Sequence, residues 1–169
     1  YPELSQLLHH LVLDHPNLGM ALFEQDHRFR PTPLPAPEPR FVIISGLARA
    51  GTTALTQQLH QAGPFASLDY SSMPFLLAPN LWRKIYRPAA EGQQARAHQD
   101  GMWHHWQSVE ALEEYFFTVA LEDHFRYSDH LSIHDLPPET LSTYLRYQAL
   151  IRPTAGTIYL AKNNNLLLR

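Results

Sequence analysis

Hydrophobic positions along the chain switch between helical and strand-like spacing. Leu4, Leu7, Leu8, Leu11 and Val12 share one helical face behind Pro2, a residue suited to a first helical turn. Pro16 lacks the amide that an interior helical position needs, so this helix is expected to stop by Asp14 or His15. Phe41-Val42-Ile43-Ile44-Ser45 is a continuous β-rich run, apolar on both alternating faces, as in a strand of a parallel sheet buried on both sides. Residues 53–62 then carry Leu55 and Leu59 four apart, and Gly63-Pro64 is a helix stop. Short helices are expected within residues 75–84. Further on, Val109, Leu112, Phe116, Val119 and Ala120 form an apolar stripe behind Ser108 as N-cap. A helix over residues 138–150 turns Leu141, Tyr144 and Leu145 inward, Pro153 and Gly156 close it, and residues 157–161 read as a second parallel strand.

Alternating prolines between residues 31 and 39 fix φ and remove amide donors, which favours an extended connector. The chain therefore divides into an N-terminal helical arm (1–30), a Pro-rich linker (31–39) and a main α/β unit (40–169). Two strands are too few for a doubly wound sheet, so the main unit is expected to be incomplete at its C-terminus.

Composition narrows the functional classes. A net charge of -3 argues against a general nucleic-acid binder, which normally presents a basic surface, so an anionic ligand has to be held by local geometry. The absence of cysteine removes a disulfide framework, a thiol nucleophile and a Cys-based zinc site, and makes the cytoplasm the expected compartment. Apolar runs fall far short of the ~20 residues that span a bilayer, and Tyr1-Pro2-Glu3 lacks the basic start of a signal peptide. No membrane partner is expected. The 11 histidines include the pair His9/His10 and the spread His124, His130 and His134, without HExxH-type spacing, so no metal site is expected.

The chemistry concentrates in Gly46-Leu47-Ala48-Arg49-Ala50-Gly51-Thr52-Thr53, which nearly matches the phosphate-loop pattern GxxxxGK[ST] and sits between a predicted strand and a predicted helix. Glycine lets the backbone curl so that successive amides face an anion, and the helix start adds its positive dipole end. Thr52 stands where a nucleotide triphosphatase has its lysine, and the cation appears three residues earlier as Arg49. Amides, two hydroxyls and one cation suit a short anion whose transfer needs no bridging metal.

With Ala54-Leu55 added, this stretch resembles the 5′-phosphosulfate loop of sulfotransferases that use 3′-phosphoadenosine-5′-phosphosulfate (PAPS), commonly written GxPRSGTTxL. Arg49, Gly51, Thr52, Thr53 and Leu55 match, while Ala48 replaces proline and Ala50 replaces serine. The serine-to-alanine change removes a side-chain donor and keeps the backbone amide. A second segment, Tyr159-Leu160-Ala161-Lys162-Asn163-Asn164-Asn165, is similar to a strand-end segment of the same superfamily seen as LKNP or NKDP. A third, Ser108-Val109-Glu110-Ala111-Leu112-Glu113-Glu114, is similar to a Ser-Pro-Glu-x-x-Glu-Glu segment of some bacterial members.

The resemblance implies a P-loop-like three-layer α/β/α fold with a central parallel sheet, binding PAPS and releasing 3′,5′-ADP without a metal. It places Gly46, Arg49, Ala50, Gly51, Thr52 and Thr53 on the cofactor and points Lys162 at the bridging oxygen or the sulfuryl group. Its acceptor would be a small molecule or carbohydrate bearing a hydroxyl or amine. Related members place an acidic base about twenty residues past the loop arginine, where Asp69 lies; His104, beside His105 and between Trp103 and Trp106, is the alternative, as histidine is the base in cytosolic members. The Arg and Ser that grip the 3′-phosphate in a later RDPxxxxxS-type segment have no match in this sequence. Glu110, Glu113 and Glu114 share a helix face by spacing, and a solvated acidic face is as good a reading of them as acceptor binding. Two other functional readings remain: a P-loop kinase-like protein with a degenerate loop, and a non-catalytic sulfotransferase-like module.

Overall fold

The computed structural model describes residues 15–29, 35–47, 49–85, 111–122 and 124–169, and the backbone alone of 94–95 and 103–104. The stripe expected over residues 4–12 and its stop before Pro16 lie outside the described residues. Helix α1 (Pro16–Phe29) has proline at its first position, where a missing amide costs nothing. There follow β1 (Phe41–Ile44), α2 (Thr52–Ala62), β2 (Phe65–Ala66), a 3₁₀ turn (Tyr70–Ser72) and α3 (Pro79–Ile85). Two short strands, β3 (Gln94–Ala95) and β4 (Trp103–His104), pair antiparallel. Helices α4 (Glu114–Ala120) and α5 (Pro138–Ile151), strand β5 (Ile158–Lys162) and a second 3₁₀ turn (Asn164–Leu168) complete the described elements.

The chain is α/β, with a small parallel three-stranded sheet in the order β1-β5-β2. Ile44 of β1 lies opposite Lys162, and Ala66 of β2 lies opposite Tyr159. Tyr159, Leu160 and Ala161 are buried in succession, so both faces of β5 are covered. Tyr159 and Ala161 join the main apolar cluster with Phe23 of α1, Phe116, Phe117 and Val119 of α4, and Tyr144, Tyr147, Leu150 and Ile151 of α5. Strand alternation turns Leu160 and Lys162 to the other face, where α2 packs.

Four expectations about packing are corrected. β1 is not buried on both sides: it has one sheet neighbour among the described residues, and Phe41 and Val42 are exposed. The buried side of α2 carries Thr53 and Thr56, while Leu55 is half-exposed, because the helix seats its first turn on the end of β5. The helix expected from Ser108 starts at Glu114, with 111–113 forming a bend and turn ahead of it. On α5, Tyr144 points inward as expected, whereas Leu141 lies on the solvent side.

Asp26 of α1 is almost fully buried and does what a helix cap does, from a different element. Its Oδ1 accepts from the Leu81 amide at 2.7 Å, and its Oδ2 accepts from the Asn80 amide at 3.1 Å and from Asn80 Nδ2 at 3.0 Å. Asp26→Ala strands the first amides of α3 and is expected to lower stability by about 2 kcal/mol in urea unfolding. An unshifted midpoint would mean that this cap contributes nothing.

Candidate functional site

Because β1, β5 and β2 run parallel, their C-terminal ends meet at one sheet edge, the place where open α/β sheets bind ligands. Three segments start there: the loop 45–51 after β1, Ser67-Leu68-Asp69 after β2, and Asn163 after β5.

The loop after β1 bends sharply. Arg49 has φ 67° and Gly51 φ 77°, two left-handed residues flanking Ala50. Gly51 meets this requirement without strain, and a Cβ there would touch nothing within 4 Å. Arg49 holds the same region as a non-glycine residue, a conformation costing of order 1 kcal/mol or more that clusters at ligand-binding loops. Gly46 is tight, since a Cβ at that position would lie 3.0 Å from Thr52 Cγ2. The amides do not all face outward: that of Ala50 donates to Leu47 O at 3.2 Å. Those of Thr52 and Thr53 belong to the first turn of α2 and have no acceptor within the helix. Arg49, Ala50 and Gly51 are exposed, Thr52 is half-buried and Thr53 is buried.

Lys162, from the far end of the chain, donates from Nζ to Thr53 Oγ1 at 2.6 Å. The last residue of β5 and the second residue of α2 are thereby joined, and an ammonium group sits against the helix start that follows the glycine loop.

Asp69 lies three residues past Ala66, whose partner Tyr159 lies three residues before Lys162. It heads the 3₁₀ turn, and its Oδ1 accepts from Ser71 Oγ at 2.6 Å and Ser72 Oγ at 3.1 Å. Oδ2 has no partner among the described residues. The carboxylate thus gathers the two serine hydroxyls of the turn on one oxygen, without capping a backbone amide, at the same sheet edge as Lys162. His104 lies on β4, in the separate two-stranded pair, and its side chain is outside the described residues.

Glu113 is where reading by spacing alone fails most. It belongs to no solvated acidic face: it is 2% exposed. Its Oε1 accepts from the phenols of Tyr144 and Tyr159, and its Oε2 accepts from Asn163 Nδ2 at 3.0 Å. Burial pushes the Glu113 carboxyl above the usual carboxylate range, against these three donors, which pull it down. Burial and the neighbouring Glu113 carboxylate push the Tyr144 and Tyr159 phenols up. Glu114 is paired instead with Arg169. One signal for Asn163 was present in the sequence. Tyr159, Ala161 and Asn163 continue a single period-2 face, so the residue after Lys162 was due to point into the core.

A cleft of about 410 Å³ lies elsewhere, lined by residues including Leu121, Phe125, His134, Pro137 and Thr140. Among the described residues no three His, Asp or Glu side chains gather as a metal would require, and no helix is long and apolar enough to cross a membrane. Comparison of the chain with protein-family models, with curated proteins and with solved structures finds no match.

Proposed function

We propose that the chain is a PAPS-dependent sulfotransferase-like unit of P-loop-like, three-layer α/β/α type. The observation that carries this reading is the Lys162–Thr53 contact: two motifs far apart in sequence, each similar to a sulfotransferase segment, meet at one sheet edge. The residues present fit such a ligand at several points. Gly51 leaves open space, the Thr52 and Thr53 amides start a helix, and Arg49 and Lys162 supply positive charge. The engaged Ala50 amide narrows the cradle to the two ends of the loop, Gly46 and residues 51–53.

When bound, PAPS supplies the sulfuryl group and a phosphate leaving group. An acceptor oxygen or nitrogen forms a bond to sulfur as the bond from sulfur to the bridging oxygen breaks, and its proton passes to a base, with 3′,5′-ADP released. Lys162 Nζ stabilises the charge growing on the bridging oxygen, Thr52 and Thr53 hold the 5′-phosphate through their amides, and Asp69 Oδ2 receives the proton. His104 is the alternative base. A carbohydrate or other small hydroxyl or amine compound is the acceptor.

The test is thermal denaturation with PAPS or 3′,5′-ADP. Either nucleotide is expected to raise Tm by several degrees at about 100 times its Kd, equivalent to about 2.7 kcal/mol, and Arg49→Ala to abolish the rise. An unchanged melting curve overturns the reading, and a shift given instead by ATP with magnesium assigns the loop to a kinase-like protein. Nucleotide binding without turnover makes the chain a non-catalytic module.

A further inference from the structure

Lys162 and Asn163 are adjacent residues facing opposite sides of the sheet. Lys162 reaches Thr53 on the α2 side, and Asn163 reaches Glu113 on the side of α4 and α5. Asn163 is 1% exposed and extended, at φ -142° and ψ 102°. It is held at four points: its amide donates to Ile44 O at 3.0 Å, its carbonyl accepts from the Leu166 amide at 3.4 Å, its Oδ1 accepts from the Asn165 amide at 3.0 Å, and its Nδ2 donates to Glu113. Glu113 is held in turn by the phenols of Tyr144 and Tyr159. The carboxylate therefore ties the start of α4, the middle of α5 and both the body and the end of β5 to one point.

We infer that Glu113 is a positioning residue: through Asn163 it sets the rotation of the β5 end and so holds Lys162 Nζ against the start of α2. A single-residue pivot makes this mechanical. In an extended backbone, fixing the side chain of one residue fixes the direction of its neighbour on the other face. The cluster also carries a cost that packing alone would not require. An apolar residue of similar volume would remove a buried carboxylate and leave no charge to desolvate, whereas the carboxylate supplies acceptors in directions that a methyl group cannot. The consequence for the sulfuryl group rests on the function proposed above; the consequence for Lys162 itself does not.

Two readouts keep these apart. The chain has two lysines, Lys84 and Lys162, and Lys84 Nζ donates to Phe29 O on an exposed part of the surface, so it serves as internal reference. The first readout is acylation of the two amines by limiting sulfo-NHS acetate, followed by mass spectrometry. Glu113→Gln keeps an acceptor for the phenols but turns an NH2 toward Asn163 Nδ2, and is expected to raise Lys162 labelling relative to Lys84 by about fivefold or more. Asn163→Asp added to Glu113→Gln reverses the polarity of the link and is expected to bring the ratio back to the parent value.

The second readout is the Kd for PAPS against that for 3′,5′-ADP, which lacks the sulfuryl group. Glu113→Gln is expected to weaken 3′,5′-ADP, in which the former bridging oxygen carries full charge, about fivefold while changing PAPS less, a split that general loosening of the fold would not produce. An unchanged labelling ratio in folded Glu113→Gln overturns the positioning role, as does a change that the double variant fails to reverse. If labelling responds but the parent binds neither nucleotide, the pivot stands and the sulfotransferase reading falls. Should Glu113→Gln not fold, Asn163→Ala, which leaves Glu113 both phenol donors, carries the labelling test with the same expected rise.

Discussion

Under the function proposed above, replacing Lys162 by alanine is expected to slow sulfuryl transfer from PAPS about 10²–10³-fold, the loss that follows removal of one preorganised donor from a developing charge. Where the bond from sulfur to the bridging oxygen breaks, negative charge grows on that oxygen. Lys162 is the strand-end cation held by a hydrogen bond at the helix start, 2.6 Å from Thr53 Oγ1. Because the contribution grows toward the transition state, the fall belongs in kcat more than in the Kd for PAPS. Release of 3′,5′-ADP from PAPS, followed over a panel of carbohydrate, phenol and amine acceptors, checks this against Lys162→Arg. The arginine variant keeps the charge on a different geometry and is expected to fall between the two. Equal rates in the parent and Lys162→Ala would remove Lys162 from the chemistry.

The largest expected loss of stability lies at Glu114. The Arg169 side chain is fully buried, and its Nη1 and Nη2 donate to the two oxygens of Glu114 at 3.0 and 2.9 Å. The guanidinium lies over the rings of Phe117 at 4.2 Å and Phe125 at 4.8 Å. Its Nε donates to His134 Nε2 at 3.2 Å, while His134 Nδ1 is directed to Ser132 O, which puts the imidazole proton on Nδ1 and leaves Nε2 as acceptor. Glu114→Ala leaves this cation desolvated without its carboxylate and is expected to cost about 3–5 kcal/mol, read as a drop in the urea midpoint. Combining Glu114→Leu with Arg169→Met removes both charges and is expected to recover most of the loss. A cost below about 1 kcal/mol for Glu114→Ala would class the pair with exposed ion pairs.

Local spacing was enough for several elements. The run at 41–45, the proline start and apolar periodicity of 138–150, and the run at 157–161 each describe an element that the structure contains within a residue or so at either end. Their signals are local: β-branched residues in succession, or a repeat of 3.6 behind a proline. The spacing starts the helix at 114–120 five residues early because its apolar stripe includes Leu112 in the turn ahead of it, and periodicity does not distinguish a helix from a turn carrying the same face. The candidate site was legible as types of residue and as order along the chain. Gly46, Arg49, Gly51, Thr52 and Thr53 mark a loop between a strand and a helix, and Lys162 marks a strand end.

The sequence by itself determined that the chain is α/β, that a glycine loop joins a strand to a helix, and that a lysine closes a later strand, because each depends on the conformational preferences of neighbouring residues. Only the tertiary structure decided that Lys162 meets Thr53, that Asp69 holds two serine hydroxyls on one oxygen, and that Glu113 and Glu114 turn inward to a tyrosine pair and a buried arginine. Helical spacing makes the two glutamates look like solvent-facing neighbours. Their burial is favourable only because donors 31 to 55 residues away converge on them, and no local pattern carries information about partners at that separation.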